Sequence, residues 1–237
     1  MASTPPWALA DPCAAIEHEQ CYGEISRVGL SRVLSLLNEL PECSVGEGDE
    51  LLDVGSGFGR AATFMRRSVE VRVTGIEINR CRASAAMKRA KRTHGLNLIL
   101  GDVRRLGFGN ASHVYLTSQC FGHDLLRELF GRLANRAPRL RCVVDVGSLD
   151  ALSAQSFPLM ASLWGRVAAI GREVRTSWDS HAAALFVTRG TCNASCVRRA
   201  ERRLAQAAEE TEAHDLPGPQ SPWQRPAAVE RMWELWT

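Results

Sequence analysis

Residues 51–60 read LLDVGSGFGR, a short apolar run that ends in a loop containing three glycines. The apolar run is typical of a buried β-strand, and the residues that follow the loop, 60–67, are predicted to form a helix. Glycine permits the tight turn between such a strand and helix and lets a ligand approach the backbone closely. The stretch therefore predicts a strand–loop–helix unit in which Gly55, Gly57 and Gly59 form a ligand-binding loop.

Apolar runs and helical patterns alternate along the chain on both sides of this loop. Two late runs, 167–174 and 182–187, flank a polar turn and predict a terminal antiparallel hairpin. The pattern predicts an α/β fold: a seven-stranded, mostly parallel, doubly wound sheet of Rossmann-like type that ends in the hairpin. The other predicted elements are strands at 51–54, 71–76, 96–100, 113–116 and 141–146 and helices at 25–40, 60–67, 78–93 and 125–133.

The 237 residues suffice for one α/β domain with short extensions. Residues 1–20 are rich in proline and alanine and are expected to form an N-terminal arm. Residues 21–190 are predicted to form the domain itself. Residues 191–237 combine an Arg/Ala/Glu helix with a stretch that contains four prolines, and we expect a helical, proline-rich C-terminal tail.

The composition, 45% hydrophobic and 23% charged, is that of an ordinary globular protein. The eight cysteines lack the spacing of a disulfide framework or of a metal site, and several fall in segments predicted to be buried. No apolar run approaches the ~20 residues of a membrane span, and the N-terminus lacks the features of a secretory signal. We therefore expect a nuclear or cytosolic protein with reduced thiols, no metal and no membrane partner. The glycosylation patterns at Asn110-Ala111-Ser112 and Asn193-Ala194-Ser195 would have no consequence in such a compartment.

Three carboxylates stand at the ends of the first three predicted strands. Asp53 comes just before the glycine loop, where it would repel a phosphate but suit a cationic ligand. Glu77 can accept hydrogen bonds from both hydroxyls of a ribose. Asp102 can bind an adenine amino group, with Val103 against the ring. Because S-adenosylmethionine combines adenosine with an ammonium and a sulfonium group, this order of carboxylates predicts S-adenosylmethionine as the cofactor.

Further motifs lie on both sides of the three carboxylates. Tyr22-Gly23-Glu24 precedes the first long helix, residues 114–122 read VYLTSQCFG, and Ser177-Trp178 lies in the predicted hairpin turn. Over residues 21–188 the chain resembles the non-SET histone lysine methyltransferases, the family named for disruption of telomeric silencing. The resemblance implies a class I methyltransferase that modifies protein lysine, with a histone or nucleosome as partner.

The chain departs from that family in two places. Thr117 and Ser118 stand where the family has paired asparagines, and the family's larger N-terminal helical extension is missing. Residues 57–60 and 77–79 also resemble smaller protein-lysine methyltransferases that act on mitochondrial targets. Lysine as the acceptor is therefore better supported than a histone as the substrate.

The resemblance places five residues at the site of methyl transfer: Tyr22, Thr117, Ser118, Phe121 and Trp178. A lysine amine must lose its proton before it can attack, and an apolar channel lowers the pKa of such an amine. Phe121 and Trp178 are expected to line that channel. The residues expected to bind the cofactor are Tyr22, Gly23, Glu24, Asp53, Gly55, Ser56, Gly57, Gly59, Arg60, Glu77, Ile78, Asp102 and Val103.

Other functions are compatible with parts of the sequence. The acceptor could instead be a small molecule or an RNA, although no Asn-Pro-Pro-Tyr-like motif for a flipped base follows the fourth strand. A domain of another class would bind the cofactor or a chromatin partner without catalysis, and the complete set of carboxylates argues against it. The stretch Arg198–Arg203 could contact DNA phosphate, but its interleaved glutamate is more typical of a solvated helix.

Overall fold

The computed structural model describes residues 24–147, 167–175 and 180–188 of the chain. The predicted N-terminal arm, 1–20, and the predicted tail, 191–237, lie outside these residues. Short 3-10 helices at Pro41–Cys43 and Ser118–Cys120 connect longer elements. In chain order the longer elements are α1 (Arg27–Glu39), β1 (Glu50–Val54), α2 (Arg60–Ser68), β2 (Arg72–Glu77), α3 (Arg80–Ala90), β3 (Leu96–Leu100), β4 (His113–Thr117), α4 (His123–Arg136), β5 (Cys142–Val146), β6 (Val167–Arg175) and β7 (Ser180–Val187).

The seven strands form one sheet in the order β3-β2-β1-β4-β5-β7-β6. Strands β1 to β5 are parallel, whereas β7 pairs antiparallel with both β5 and β6. The predicted fold class is therefore confirmed. The strand order reverses between β1 and β4, and ligands of such sheets bind in the crevice at the carboxyl ends beside this point. We call that side, where β1–β5 end at Val54, Glu77, Leu100, Thr117 and Val146, the carboxyl edge, and the opposite side the amino edge.

Helices cover both faces of the sheet, because the parallel strands are apolar on both sides. On one face α1, α2 and α3 pack against the sheet, with Leu36 of α1 and Met65 of α2 fully buried. On the other face α4 is buried through Leu126, Leu129, Phe130 and Leu133. The Phe130 ring meets the Phe186 ring of β7 edge-on, with centroids 5.2 Å apart. Each large apolar side chain buried in this way contributes about 1.5–3 kcal/mol.

The cysteines differ from the expectation of reduced thiols. Cys43, in the 3-10 turn after α1, is disulfide-bonded to Cys142 at the start of β5, with a sequence separation of 99 residues. Cys81 and Cys120 are disulfide-bonded as well, and the described residues include no free cysteine. The expectation was wrong because the packing of α1 over β5, which spacing along the chain does not reveal, brings Cys43 and Cys142 into one core.

Several element boundaries also differ from the expectations by one to three residues, most of all in α3 and α4. Helix α3 begins at Arg80 and not at Ile78, because the Asn79 side chain caps it by accepting from the backbone N–H of Arg82. Helix α4 extends to His123–Arg136, beyond the predicted 125–133. Within the described ranges, no helix is long and apolar enough to cross a membrane.

Candidate active site

A cavity of about 270 Å³ opens at the carboxyl edge, between the ends of β1, β2, β3 and β4. Most of the site residues predicted from the sequence line this one cavity, although they come from separate segments of the chain. The predicted residues that line it are Glu24, Asp53, Gly55, Ser56, Gly57, Arg60, Glu77, Ile78, Asp102, Val103, Thr117 and Phe121.

The other predicted residues fall into two groups. Gly59 and Ser118 are not among the described residues that line the cavity. A Cβ on Gly59 would come within 2.5 Å of the Leu98 side chain, so this glycine permits close packing of α2 against β3. Its contact with the cofactor stays a prediction. Tyr22, Gly23 and Trp178 lie outside the described residues.

The glycine loop is held in place from both sides. The backbone N–H groups of Gly55 and Ser56 donate to the carbonyl of Ile76, at 2.9 and 3.0 Å. Gly55 has φ of 75°, a conformation that favours glycine. A Cβ on Gly55 would lie 3.0 Å from the Phe121 ring, so the loop after β4 reaches over the loop after β1. The backbone therefore forms the cavity wall at this point.

Glu77 lies at the centre of the hydrogen-bonding at the end of β2. Its Oε2 accepts from the N–H of Gly57 at 2.8 Å, and its Oε1 accepts from the N–H of Asn79 at 2.7 Å. The Arg82 guanidinium lies 3.6 Å away, and both side chains are buried. A carboxylate oxygen has two lone pairs, so each oxygen of Glu77 can accept one further hydrogen bond. The ion pair with Glu77 explains why Arg82, a charged residue of α3, is buried.

Asp53 differs from Glu77 because one of its oxygens is unsatisfied. The side chain is 2% exposed, and its Oδ2 has no hydrogen-bond partner within the described part of the chain. Burial raises the pKa of this carboxyl to about 7, the negative charge of Glu77 adds to the rise, and a backbone hydrogen bond at Ala62 opposes it. A buried acceptor without a partner costs about 1–3 kcal/mol. A donor or cation in the cavity would remove that cost.

Tyr115 and Thr117 form a hydroxyl pair on β4. The two residues line the cavity, and their oxygens are 2.8 Å apart. Burial and the nearby charge of Asp53 raise the pKa of the Tyr115 hydroxyl, which therefore stays protonated. The sequence pattern predicts Tyr115 only as part of a strand. Its separation of two residues from Thr117 was the available signal, because alternate residues of a strand share a face.

Asp102, after β3, is bound by Arg104, which is not among the site residues that the sequence predicts. The Arg104 guanidinium donates to both Asp102 oxygens, at 2.7 Å from Nη2 and at 3.0 and 3.1 Å from Nε. These hydrogen bonds hold the pKa of the Asp102 carboxyl below its usual value. Arg104 lines the cavity together with Asp102. This wall of the cavity therefore presents an ion pair and not a lone carboxylate.

Glu24 joins the segment before α1 to the start of α2. Its carboxylate forms an ion pair with Arg60, and the Arg60 guanidinium also lies 5.8 Å from the centre of the Phe58 ring. Both charged residues line the cavity. The pair therefore fixes one rim of the cavity against the glycine loop.

Unsatisfied buried groups are concentrated at the carboxyl edge. Besides Asp53 Oδ2, the hydroxyls of Ser56 and Ser118 and both amide atoms of Gln119 have no hydrogen-bond partner within the described part of the chain. Most buried polar groups in proteins are paired, so such a cluster needs an explanation. Asp53 and Ser56 line the cavity, whereas Ser118 and Gln119 are not among its described lining residues. The unsatisfied atoms of Asp53 and Ser56, together with the glycine loop, fit a polar, cationic ligand such as the predicted cofactor.

Known proteins share this architecture. Residues 51–162 match the family described as "Methyltransferase domain", a range that contains the glycine loop, Glu77 and Asp102. The chain has no match among curated protein sequences.

Three solved structures show the same fold at low sequence identity. The first, magnesium protoporphyrin IX methyltransferase from Synechocystis PCC 6803 with bound SAH, is 13% identical, with 68% of this chain and 82% of that chain covered and a TM-score of 0.55. A dimethyladenosine transferase from Plasmodium falciparum is 13% identical, with 71% and 64% covered and a TM-score of 0.55. A TehB-like SAM-dependent methyltransferase from Corynebacterium glutamicum is 12% identical, with 77% and 96% covered and a TM-score of 0.50.

The family match, the strand order and the carboxylates at the strand ends therefore all agree with the fold predicted from the sequence. Over residues 51–162 the chain matches the methyltransferase-domain family, and its sheet has the fold of solved S-adenosylmethionine-dependent methyltransferases.

Proposed function

We propose that the chain is an S-adenosylmethionine-dependent methyltransferase that methylates the side-chain amine of a lysine in a protein. One observation supports the part of this proposal that concerns cofactor binding. Asp53, Glu77 and Asp102, at the ends of three successive parallel strands, line one cavity, and Asp53 keeps an unsatisfied buried oxygen there. The acceptor half is supported by the residues after β4 and by the resemblance of the motifs.

Each carboxylate suits a different part of the cofactor. The remaining lone pairs of Glu77 would accept the two ribose hydroxyls, and Asp102 with Val103 would hold the adenine. Asp53 Oδ2 would accept from the ammonium group of the methionine part, which gives the buried oxygen a charged partner. Charge-assisted hydrogen bonds of this kind contribute about 1.5–3 kcal/mol each.

The acceptor amine must lose its proton before it can attack, and the cofactor does not bring this about. When bound, the cofactor supplies an electrophilic methyl group on a sulfonium, and the thioether that leaves needs no acid. A lysine of ordinary pKa is neutral only about once in 2,500 at pH 7, a handicap of about 4.6 kcal/mol. Apolar surroundings lower that pKa. Phe121 and Leu125 line the cavity and are partly exposed, so they can supply such surroundings.

The hydroxyl pair on β4 can orient the amine. If the Tyr115 hydroxyl donates to Thr117 Oγ1, the Thr117 hydroxyl keeps its proton for another acceptor and one lone pair for an amine N–H. Thr117 would thereby direct the amine lone pair toward the methyl group, a positioning contribution of the kind that accelerates bimolecular reactions. The proposed roles of Tyr22 and Trp178 stay predictions from the resemblance.

The substrate protein is less narrowly defined. A histone or nucleosome, and a DNA contact through Arg198–Arg203, rest on the resemblance and on composition alone. The disulfides of Cys43, Cys81, Cys120 and Cys142 argue against a nuclear partner, since nuclear thiols are kept reduced. We therefore propose protein lysine as the acceptor class without specifying a histone.

Labelled cofactor tests the proposal directly. The chain is incubated with S-adenosylmethionine labelled in its methyl group and with a mixture of proteins, nucleosomes, total RNA or a metabolite pool that includes porphyrins. We expect label in protein, recovered as methyl-lysine after hydrolysis. Label only in RNA or in a small molecule would contradict the lysine acceptor, and cofactor binding without transfer to any fraction would indicate a non-catalytic domain.

A variant of Phe121 separates the acceptor from the cofactor. Phe121→Ala is expected to lower kcat on lysine about tenfold or more while the Kd for S-adenosylmethionine changes less than about threefold. Phe64→Ala, a change of the same size at a partly buried side chain packed on the α1–α3 core, serves as the matched control. Loss of cofactor affinity in Phe121→Ala with normal turnover at saturation would place the ring against the cofactor.

A further inference from the structure

All cysteines that the structure describes are disulfide-bonded. The Cys43–Cys142 bond is sealed in the core, with both side chains 0% exposed, and Cys81 and Cys120 are bonded too. Disulfides of this kind form and persist in oxidising compartments, whereas the cytosol and nucleus keep thiols reduced. The bonding pattern therefore points to maturation in an oxidising compartment.

A glycosylation acceptor pattern lies at the tip of an exposed turn. Asn110-Ala111-Ser112 follows the Asn-x-Ser rule, and the Asn110 side chain is exposed. The turn is closed by a hydrogen bond from Ala111 N–H to the carbonyl of Phe108 at 3.1 Å, and both of these residues are buried. The two anchors thus hold the turn against the core and leave Asn110 outside.

The surroundings of this tip are open. A Cβ built on Gly107 or on Gly109 would meet no atom within 4 Å. Asn110 precedes β4 at the amino edge, whereas the cavity lies at the other end of that strand, beyond Thr117. At the usual rise per residue, His113 and Thr117 at the two ends of β4 are about 13 Å apart. A bulky group on Asn110 would therefore have space and would leave the cavity accessible.

We propose that the chain matures in an oxidising secretory compartment and carries an N-linked glycan on Asn110. In the modification, a bond forms between Asn110 Nδ2 and the anomeric carbon of a lipid-linked oligosaccharide. The bond from that carbon to the diphosphate breaks, the lipid diphosphate leaves, and the amide gives up one proton. For each disulfide, two thiols give up two electrons and two protons to a disulfide of a thiol oxidoreductase.

The third residue of the pattern determines when the glycan is added. Ser112 is 2% exposed, and its hydroxyl accepts from the N–H of Glu50 at 3.1 Å and lies 3.0 Å from His113 Nδ1. A transferring enzyme that reads this hydroxyl can reach it only before the chain folds. Addition to the unfolded chain, as it enters the compartment, is therefore part of the proposal.

Mass spectrometry of the full chain from its own cells tests both parts. Free thiols are alkylated before any reduction, and the digest is treated with peptide-N-glycosidase in ¹⁸O-water, which converts a glycosylated asparagine to labelled aspartate. We expect labelled aspartate at position 110 and a Cys43–Cys142 peptide pair that is alkylated only after reduction. Alkylation of Cys43 and Cys142 without reduction, or an unlabelled asparagine at position 110, would overturn the proposal.

Variants expressed in the same cells assign the glycan to its residue. Asn110→Gln should remove the labelled peptide, whereas Asn97→Gln, a matched change at an exposed asparagine outside any such pattern, should keep it. Asn193 has the same pattern and lies outside the described residues. The mass spectra of the peptides that contain Asn110 and Asn193 are therefore evaluated separately. Methyl transfer by Asn110→Gln should equal that of the wild type, which keeps this test independent of the proposed function.

Discussion

The two edges of the parallel sheet differ in whether their buried polar groups have hydrogen-bond partners within the protein. At the amino edge, His113 Nε2 lies 2.9 Å from the carbonyl of Cys43, Ser112 lies against His113 Nδ1, and Arg141 pairs with Asp49 at 2.6 Å. At the carboxyl edge, within the described ranges, Asp53, Ser56, Ser118 and Gln119 keep buried polar atoms without partners. The polar groups named at the amino edge are paired within the chain, whereas at the carboxyl edge Asp53 and Ser56 line the cavity with unpaired atoms.

The contrast shows how a ligand site can be recognised before any ligand is known. Both edges are rich in polar residues, so polarity alone does not distinguish them. The distinction is whether a group removed from water finds its partner within the protein. Substitutions at the carboxyl edge should therefore change cofactor affinity, and substitutions at the amino edge should change stability.

The largest effect is expected from Glu77→Ala. The change removes two charge-assisted acceptors for the ribose, so the Kd for S-adenosylmethionine should rise by about 100-fold or more. Isothermal calorimetry measures the affinity, and circular dichroism verifies the fold. Asp49→Asn, the counterpart at the amino edge, should leave the Kd within about twofold. Wild-type affinity in Glu77→Ala would refute the assignment of the ribose partner.

The second effect concerns stability at the amino edge. His113→Gln should lower the free energy of unfolding by about 1–2 kcal/mol, because the buried hydrogen bonds of the ring are lost. Burial lowers the pKa of His113 below its usual 6.5, so the contribution of His113 to stability should fall as the pH falls below about 6.5. Urea unfolding from pH 5 to 8 should show this as a smaller difference between wild type and variant at low pH, because the opposite contribution of Asp53 is common to both proteins.

Two results would contradict this prediction about His113. One is a reduced affinity for S-adenosylmethionine in His113→Gln, which would mean that the amino edge contributes to the site. The other is an equal loss of stability in His123→Gln, the matched change at an exposed histidine at the start of α4.

The third effect is a pH dependence of cofactor affinity. Burial and the charge of Glu77 raise the pKa of Asp53 to about 7, so the carboxyl must lose its proton before it can bind a cationic group. Affinity should therefore rise about tenfold per pH unit below that pKa and level off above it. Asp53→Asn should abolish the slope. Asp102→Asn should keep it, because the pKa of Asp102 is lowered and does not fall in this range.

The same raised pKa affects the free protein in the opposite direction. A carboxyl whose pKa is higher in the folded state stabilises the fold at low pH, and that stabilisation is lost as the pH rises through about 7. Asp53→Asn should accordingly be more stable than the wild type at pH 8 without cofactor. A variant less stable than the wild type at that pH would show that Asp53 has an internal partner.

The smallest effect is expected from Arg104→Gln. Arg104 binds Asp102 from a half-exposed position, where ion pairs contribute little, so the Kd should rise less than about threefold. Arg127→Gln removes a similar exposed ion pair on α4, away from the cavity, and should leave the Kd unchanged. A rise of tenfold or more in Arg104→Gln would indicate a direct contact with the adenine.

The sequence predicts the carboxyl edge better than the amino edge, and the reason is physical. Asp53, Glu77 and Asp102 each follow an apolar run, and parallel strands necessarily bring their carboxyl ends together. The glycine loop is also recognisable in the sequence. Gly55 has φ of 75°, a value that residues other than glycine seldom adopt. Local pattern and topology therefore suffice to assemble most of the cavity.

Other contacts depend on how distant elements pack, which local patterns do not show. The sequence pattern alone is typical of an exposed helix residue at Arg82. Only the packing of the first turn of α3 against the end of β2 brings Arg82 to Glu77. Cys43 and Cys142 meet only because α1 lies across β5. Gly59 looks like its neighbours in the loop, yet its neighbour in space is Leu98. In each case, the partner that decides the role comes from another element.

The Cys43–Cys142 bond closes a covalent ring within the chain. The two cysteines are 99 residues apart in sequence, and the ring contains Asp53, Glu77 and Phe121, whereas Glu24 lies outside it. While the bond is intact, the segment between the two cysteines cannot be drawn out, so the fully extended chain is shorter by about 99 × 3.4 Å. Reduction of this bond would release a segment that contains most of the residues that line the cavity.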